Sequence, residues 1–198
     1  MEIEETFNDI YSKRKWGTNF ANMGSSGPGS HMSQAREYFE FLQDFINHNE
    51  IKSIQDIGCG DFQFMRHLKL NDSTNYLGID CVKSLVKFNN KEFGKSNIKF
   101  KYKEISKHTF EYSELYILKD TLQHLTNDIV YNFLDYITEN KLAKYILITN
   151  CNHQKSDDED VEKIGETRPL NGRMLPLKRY NPIILKEYNG KQVCLIVV

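Results

Sequence analysis

From Ser33 onward, Ala35, Tyr38, Phe39, Leu42, Phe45 and Ile46 recur at three- and four-residue intervals, the mark of one apolar face on a helix. Ser33 suits the N-cap of that helix and the stretch 47–49 its end. Beyond it, short apolar runs alternate with helical patterns. Ile54–Ile57 reads as a strand, Phe62–Lys69 as a helix, Tyr76–Ile79 as a strand and Val82–Asn90 as a helix. Alternation of this kind predicts an α/β fold around a parallel sheet.

Ile98, Phe100 and Tyr102 alternate with Lys99, Lys101 and Lys103, giving a strand with one wet, cationic face suited to a sheet edge. Leu115–Leu118 and Tyr145–Thr149 read as buried strands, and Ile129, Val130, Phe133, Leu134 and Ile137 form a helical stripe between them. At the C-terminus, Ile183–Tyr188, Asn189-Gly190 and Val193–Val198 make a hairpin signal, because Asn-Gly accepts the positive φ angles of a type I′ turn. The hairpin closes the sheet with an antiparallel strand.

Two segments lack this order. Phe7–Trp16 mixes aromatic and charged residues, and a Gly/Ser/Pro-rich loop runs on to Ser30, so 1–32 is expected to be a mobile cover. Residues 151–182 show no periodicity and exceed most connections in compact domains, which marks them as a functional or partly disordered substrate loop. The expected organisation is one domain over 1–198: a lid (1–32), a cofactor-binding core (33–150), the substrate loop (151–182) and the C-terminal hairpin (183–198).

At 198 residues such a domain buries roughly 70% of the surface its unfolded chain exposes, enough to hold a pocket without disulfides or metal. Cys59, Cys81, Cys151 and Cys194 are scattered, with no CxxC or Cys/His pair, so neither a disulfide framework nor a zinc site is expected. The net charge of −1, with lysines spread along the chain, favours a small substrate over a polynucleotide. No secretory h-region or membrane-spanning run occurs, and a cytoplasmic protein with no membrane association is expected. Oligomeric state is not legible.

In open parallel sheets ligands sit beyond the carboxyl ends of strands, which directs attention to Asp56-Ile57-Gly58-Cys59-Gly60-Asp61. Gly58 and Gly60 remove side chains where the backbone must turn and a ligand come close; Asp61 accepts hydrogen bonds or caps the next helix. A dinucleotide fingerprint, GxGxxG, would place a third glycine where this chain has Gln63. Asp80, at the end of the next strand, stands where an acidic side chain binds both hydroxyls of an adenosine ribose.

With these residues in place, Ile54–Asp80 resembles the class I S-adenosylmethionine (SAM)-dependent methyltransferase family, and the resemblance extends through the terminal hairpin. It implies a Rossmann-like three-layer sandwich with a seven-stranded, mostly parallel sheet ordered 3-2-1-4-5-7-6. It also implies SAM as cofactor and S-adenosylhomocysteine (SAH) as product. By that resemblance Asp56, Gly58, Cys59, Gly60, Asp61, Asp80 and Cys81 line the cofactor site. Glu104 and Ile105 lie near the adenine, and Lys119-Asp120 are delivered beside the methyl group. Trp16-Gly17, the loop Ser26–Ser30 and Lys119–His124 are further similar to a bacterial subgroup associated with capsule polysaccharide and small-metabolite modification.

Direct transfer of a sulfonium methyl requires alignment and, for a hydroxyl acceptor, a proton acceptor. His124 is the first candidate base, then His153, with Asp120 beside them. The competing readings are structural: His124 as a packing or capping residue, Asp120 as an N-cap, and Asp56 as a hydrogen-bonding support of the glycine loop. Tyr11, Arg14 and Trp16 are expected to fold over cofactor and substrate, although Trp16 suits a packing role as well. Arg168 and Arg173, with Lys178 and Arg179, give the loop local positive character suited to an anionic small molecule. The acidic run Asp157–Asp160 reads as a solvated surface, and no metal is expected. The expected acceptor is an oxygen of a sugar, phosphorylated or nucleotide-linked precursor. An RNA or DNA methyltransferase and a noncatalytic SAM-binding or partner-binding module are the alternatives.

Overall fold

Three parallel strands organise the first half of the chain: β1 (Ser53–Ile57), β2 (Asn75–Asp80) and β3 (Ile98–Tyr102), with Ile57 opposite Ile79 and Asp80 opposite Tyr102. A computed structural model describes residues 3–198. Helices α1 (Ile3–Ser12), α2 (Met32–His48) and α3 (Lys83–Phe93) complete a unit that runs to Glu104.

The expected stripe forms α2, burying Ala35, Tyr38, Leu42 and Ile46, but its N-cap is His31 rather than Ser33. Leu42 is wholly buried, so truncating it to alanine would cost about 2–5 kcal/mol. The expected mobile cover is instead partly core. Helix α1 buries Ile3, Thr6, Ile10 and Tyr11, and Glu4 ties it down by pairing with Lys83 at 2.8 Å. After α1 the chain doubles back through a Thr18–Gly24 bridge. A Cβ at Gly24 would stand 2.2 Å from the Tyr11 carbonyl oxygen, so only glycine lets the returning strand lie against α1.

The helix expected over Phe62–Lys69 does not form; only Met65–His67 makes a single 3-10 turn. Phe62 takes a left-handed φ of 57°, incompatible with a helix start, and its ring enters an aromatic cluster. Ring centroids of Tyr76, Phe93 and Phe100 lie 5.2, 5.4 and 4.9 Å away. Tertiary burial of a large ring therefore overrides local helical patterning.

The second unit begins at Ile105. It contains β4 (Ser113–Lys119), α4 (Asn127–Glu139), β5 (Ala143–Cys151), β6 (Ile183–Tyr188) and β7 (Lys191–Val197). Strands β4 and β5 are parallel, and β7 runs antiparallel to both β5 and β6. The strand order is β3-β2-β1-β4-β5-β7-β6, as expected, with lysine-bearing β3 at an edge. Asn189 and Gly190 have φ values of 45° and 71°, both positive as a type I′ turn requires. Helix α4 buries Val130, Phe133, Leu134 and Ile137.

The connection between β5 and β6 contains no strand or α-helix, only a 3-10 turn at Leu177–Tyr180. It is nevertheless pinned throughout. Leu170 N–H donates to the Cys151 carbonyl at 2.8 Å, Gly172 N–H to Gln192 Oε1 at 2.7 Å, and Leu170 and Leu177 are buried. The acidic run is part of this anchoring: Leu175 N–H donates to Asp157 at 2.9 Å, the Tyr131 hydroxyl to Asp158 at 2.7 Å, and the Asn127 N–H at the start of α4 to Asp160 at 3.0 Å. A carboxylate there also complements the helix dipole. These carboxylates are structural acceptors rather than a merely solvated surface.

Candidate functional site

Strand β1 ends at the glycine loop. The Gly58 and Cys59 amides both donate to the Ile79 carbonyl, at 2.8 and 3.1 Å, which folds the loop back onto the end of β2. Gly58 is exposed, whereas Cys59, Gly60 and Asp61 are buried. Gly60 has φ 56°, and a Cβ there would stand 2.1 Å from Ser26 Oγ and 3.0 Å from the Tyr11 hydroxyl. Both reasons require glycine.

Asp80 completes this centre. Its Oδ2 accepts the Gly60 N–H and its Oδ1 the Val82 N–H, each at 2.9 Å. Burial pushes the carboxyl up to about 6, against the opposing pull of the Val82, Gly60 and Cys81 amides. A carboxylate offers about four lone-pair positions, so the three amides leave capacity for about one further donor. Asn89 steadies the loop by donating to the Gly60 carbonyl at 2.8 Å.

The N-terminal segment lies directly on the loop. The Tyr11 and Ser26 hydroxyls share a hydrogen bond of 2.8 Å, and Ser26 Oγ accepts the Asp61 N–H at 2.9 Å. Gln63 donates to Asp61 Oδ2 at 2.6 Å and to Ser25 Oγ at 2.9 Å, while Asp61 Oδ1 is buried without a partner among the described residues. Trp16 meets Tyr11 edge-on at 5.8 Å and packs with Phe7 and Cys81 on a core of Tyr11, Val82 and Leu85. Burial pushes the Tyr11 hydroxyl and the Cys59 and Cys81 thiols well up, so none is an anionic nucleophile at neutral pH. Arg14 is exposed and lines, with Tyr11, Asn8 and Ser84, an open cavity of about 630 Å³ whose walls do not include Gly58, Asp61 or Asp80. Asp56 is buried and accepts the Tyr76 hydroxyl, which is its supporting reading. Glu104 is half-buried at the end of this unit, and Ile105 is buried at the start of the next.

A second cluster forms in the second unit, where β4 and β5 end and β7 begins. Lys119 Nζ donates to Asp120 Oδ2 at 2.6 Å, and Lys191 Nζ donates to Asp120 Oδ1. Burial would raise the Asp120 carboxyl, but the two ammonium groups outweigh it and hold the carboxyl below the usual range. Asp120 has a left-handed φ of 56° and donates its N–H to the Thr149 carbonyl at 2.7 Å; a non-glycine residue in this region stores strain. Asp120 is thus a salt-bridge centre and not an N-cap; Thr126 occupies the N-cap position of α4, whose first N–H is taken by Asp160.

His124 occupies a 3-10 turn, Leu122–His124, and its Nδ1 lies 3.0 Å from the Glu166 carbonyl oxygen and 3.2 Å from Thr167 Oγ1. A carbonyl can only accept, so Nδ1 carries the hydrogen and Nε2 the lone pair. Burial lowers the imidazole pKa, with the Glu166 carbonyl and Asp120 opposing and Lys191 adding to the depression. His153 is exposed.

The two arginines assigned to substrate have other partners. Arg168 is only 3% exposed; its Nη2 donates to the Leu125 carbonyl at 2.9 Å and its Nε lies 3.4 Å from Asp160. It anchors the loop to the turn after β4. Arg173 pairs with Glu187 at 2.7 Å on the surface. Ser26 and Lys191 were not among the expected site residues. Lys191 was traceable in principle, because the Asn-Gly turn makes it the first residue of the returning strand. Among the described residues no group of three His, Cys, Asp or Glu side chains is gathered for a metal.

Neither a protein-family model nor a curated protein matches the chain. Solved structures do match in fold. Magnesium protoporphyrin IX methyltransferase (ChlM) from Synechocystis PCC 6803, with bound SAH, superposes with a TM-score of 0.64 at 12% identity, over 98% of this chain and 97% of that one. Human N-acetylserotonin methyltransferase in complex with SAM gives 0.61 at 14% identity, over 100% of this chain and 60% of that one. The methyltransferase domain of bacterial CtHen1-C gives 0.62 at 12% identity, over 82% and 97%. The chain has the Rossmann-like fold of these methyltransferases.

Proposed function

We propose that the chain is a SAM-dependent methyltransferase acting on a small molecule. The reading is carried by one observation: on this fold, the buried Asp80 carboxylate at the end of β2 is locked to the Gly60 amide of the loop ending β1. That arrangement pairs an acidic acceptor with a backbone stripped of side chains, the requirement for holding an adenosine ribose. The residues present fit the cofactor, since Asp80 keeps acceptor capacity for a ribose hydroxyl and Asp61 Oδ1 is a buried acceptor without a partner among the described residues. When bound, SAM supplies an electrophilic sulfonium methyl.

In this reading Asp80 binds the ribose, Gly58 and Cys59 offer backbone, and Cys81, Glu104 and Ile105 serve the adenine. Tyr11, Ser26 and Trp16 exclude water from the loop they cover. At the second cluster His124 Nε2 takes the proton of an acceptor hydroxyl, and the strained Asp120 holds Lys119 and Lys191 for the acceptor. His153 serves as the secondary candidate base. The acceptor oxygen belongs to a sugar, phosphorylated or nucleotide-linked precursor of a surface polysaccharide, modified in the cytoplasm. An RNA acceptor is the second reading, favoured by a fold likeness to small RNA methyltransferase HEN1, with a TM-score of 0.60 at 11% identity.

Calorimetric titration tests the cofactor and a labelled-methyl screen over nucleotide sugars, phosphorylated metabolites and RNA tests the acceptor. SAH is expected to bind and NAD to bind little. Tight NAD binding without SAH binding would sink the reading. Transfer to RNA alone replaces the small-molecule acceptor, and SAH binding with no transfer to any acceptor points to a binding module.

A further inference from the structure

We propose that the lysines of α3 and β3 form a docking face for single-stranded nucleic acid, a role independent of the methyl-transfer reading above. The chain as a whole is electrically balanced, with 26 basic and 27 acidic residues, but the stretch 83–103 is not. Lys83, Lys87 and Lys91 recur every fourth residue along α3, and Lys95 follows the helix. Lys99, Lys101 and Lys103 then alternate through and just past β3, with Glu92 the one acid in the whole stretch. Residues four apart stand on one face of a helix, about 6 Å apart along its axis. Like charges in such a row repel and destabilise the helix, a cost that a negative partner removes. Two carboxylates reach the row, Glu4 at Lys83 (2.8 Å) and Glu92 at Lys91 (3.6 Å). Lys87, Lys95, Lys99 and Lys101 are exposed and have no ion-pair partner among the described residues.

The surroundings of the row select the class of partner. The Asn90 side chain donates to the Phe100 carbonyl at 2.8 Å and accepts the Phe100 N–H at 3.1 Å, which ties α3 to the outer edge of β3. At Phe100 the edge therefore offers no ladder to an added peptide strand, and the face presents charge instead. Aromatic rings stand at both ends of the helix row. At its start the Tyr102 ring, 37% exposed, lies 4.5 Å from the Lys83 ammonium. At its far end Phe20, 57% exposed, packs 6.2 Å from both Phe88 and Phe93 and carries the Arg66 guanidinium at 4.4 Å. Ammonium groups spaced along a line suit the repeating phosphates of an extended strand, and exposed rings suit its unstacked bases. A single strand uses both at once.

The full chain is titrated into fluorescein-labelled oligouridylate and followed by anisotropy over a series of salt concentrations. Binding is expected, weakening as salt rises. Lys87→Glu with Lys91→Glu should weaken it about tenfold or more, whereas the same charge change at the exposed Lys155 and Lys163 should leave it unchanged. Lys87→Gln with Lys91→Gln should lower the slope of log affinity against log salt by about 1.4, the loss of two phosphate contacts on a single strand. Phe20→Ser should weaken binding about fivefold or more, which a purely electrostatic contact would not show. In the wild-type chain, backbone amide shifts at Lys87, Lys91 and Tyr102 on oligouridylate addition give the same answer without a variant. No binding at the lowest salt, equal loss in the two charge-reversed chains, or shifts confined to other residues overturns the proposal. Tighter binding to phosphatidylserine vesicles than to oligouridylate overturns it in favour of a lipid surface. Equal binding to heparin with no effect of Phe20→Ser overturns it in favour of a general polyanion site.

Discussion

The Asp80 carboxylate accepts the amide hydrogen of Gly60, twenty residues earlier in the chain, at 2.9 Å, and so joins the ends of two neighbouring strands. Because the carboxylate is buried, this bond is also the point at which pH enters the proposed cofactor site.

Acidification should weaken SAH binding. Asp80 titrates at about 6 against 3.8 for an ordinary aspartate, and ribose hydroxyls donate to its ionised form. One pH unit below that value, affinity falls about tenfold relative to pH 8, measured by calorimetry. Asp80→Asn should bind about tenfold to a hundredfold more weakly, with a flat profile. The sign for unliganded stability is opposite: a carboxyl whose folded value is raised contributes most below pH 3.8, and that contribution is lost as pH rises through about 6. An affinity that is level from pH 5 to 8 contradicts this role for Asp80.

Gly60→Ala should cost about 1–3 kcal/mol in urea unfolding, because φ is 56° and the new methyl meets Ser26 Oγ at 2.1 Å. Ser26→Ala in the same chain removes the 2.1 Å clash but leaves the backbone strain, the 3.0 Å approach to the Tyr11 hydroxyl and an Asp61 N–H without its acceptor, so the double variant should recover only part of the loss. Full recovery would show that sterics alone select glycine.

Arg168 and Arg173 should separate cleanly in stability measurements. Arg168→Met strands the buried Leu125 carbonyl and is expected to cost about 1–3 kcal/mol, while the half-exposed Asp160 keeps the Asn127 N–H. Arg173→Met breaks an exposed pair and should cost under about 1 kcal/mol. A drop in SAH affinity for either variant, with stability unchanged, would instead return that arginine to ligand binding.

His124→Gln should lower kcat by about 10²–10⁴-fold while leaving SAH affinity intact. Burial depresses this imidazole below its ordinary 6.5, so wild-type kcat should stay level at neutral pH and fall only as pH drops through the lowered value. Retention of wild-type kcat by the variant would assign His124 to the Glu166 contact alone.

Much of this was legible in the chain because the signals were local. The 3.6-residue stripe of α2, the lysines of β3 and the Asn-Gly turn each encode their own geometry. Gly58, Gly60 and Asp80 were legible because strand ends fix where they fall. Phe62 was misread because its ring is claimed by Tyr76, Phe93 and Phe100, contacts that helical periodicity cannot report. Arg168 reads from the sequence as a substrate-binding cation and the acidic run as surface charge for the same reason, since nothing local shows that Asp160 faces both a buried guanidinium and the start of α4. Lys191 required the β5–β7 register, a pairing between segments forty residues apart.

The hydroxyls of Tyr11 and Ser26 fill the volume that a side chain at position 60 would need. These three positions are therefore one unit of inheritance: among homologues, a larger residue at 60 is tolerated only where 11 and 26 have shrunk or moved away. Covariation among 11, 26 and 60 would trace how the lid and the glycine loop were kept matched as sequences diverged.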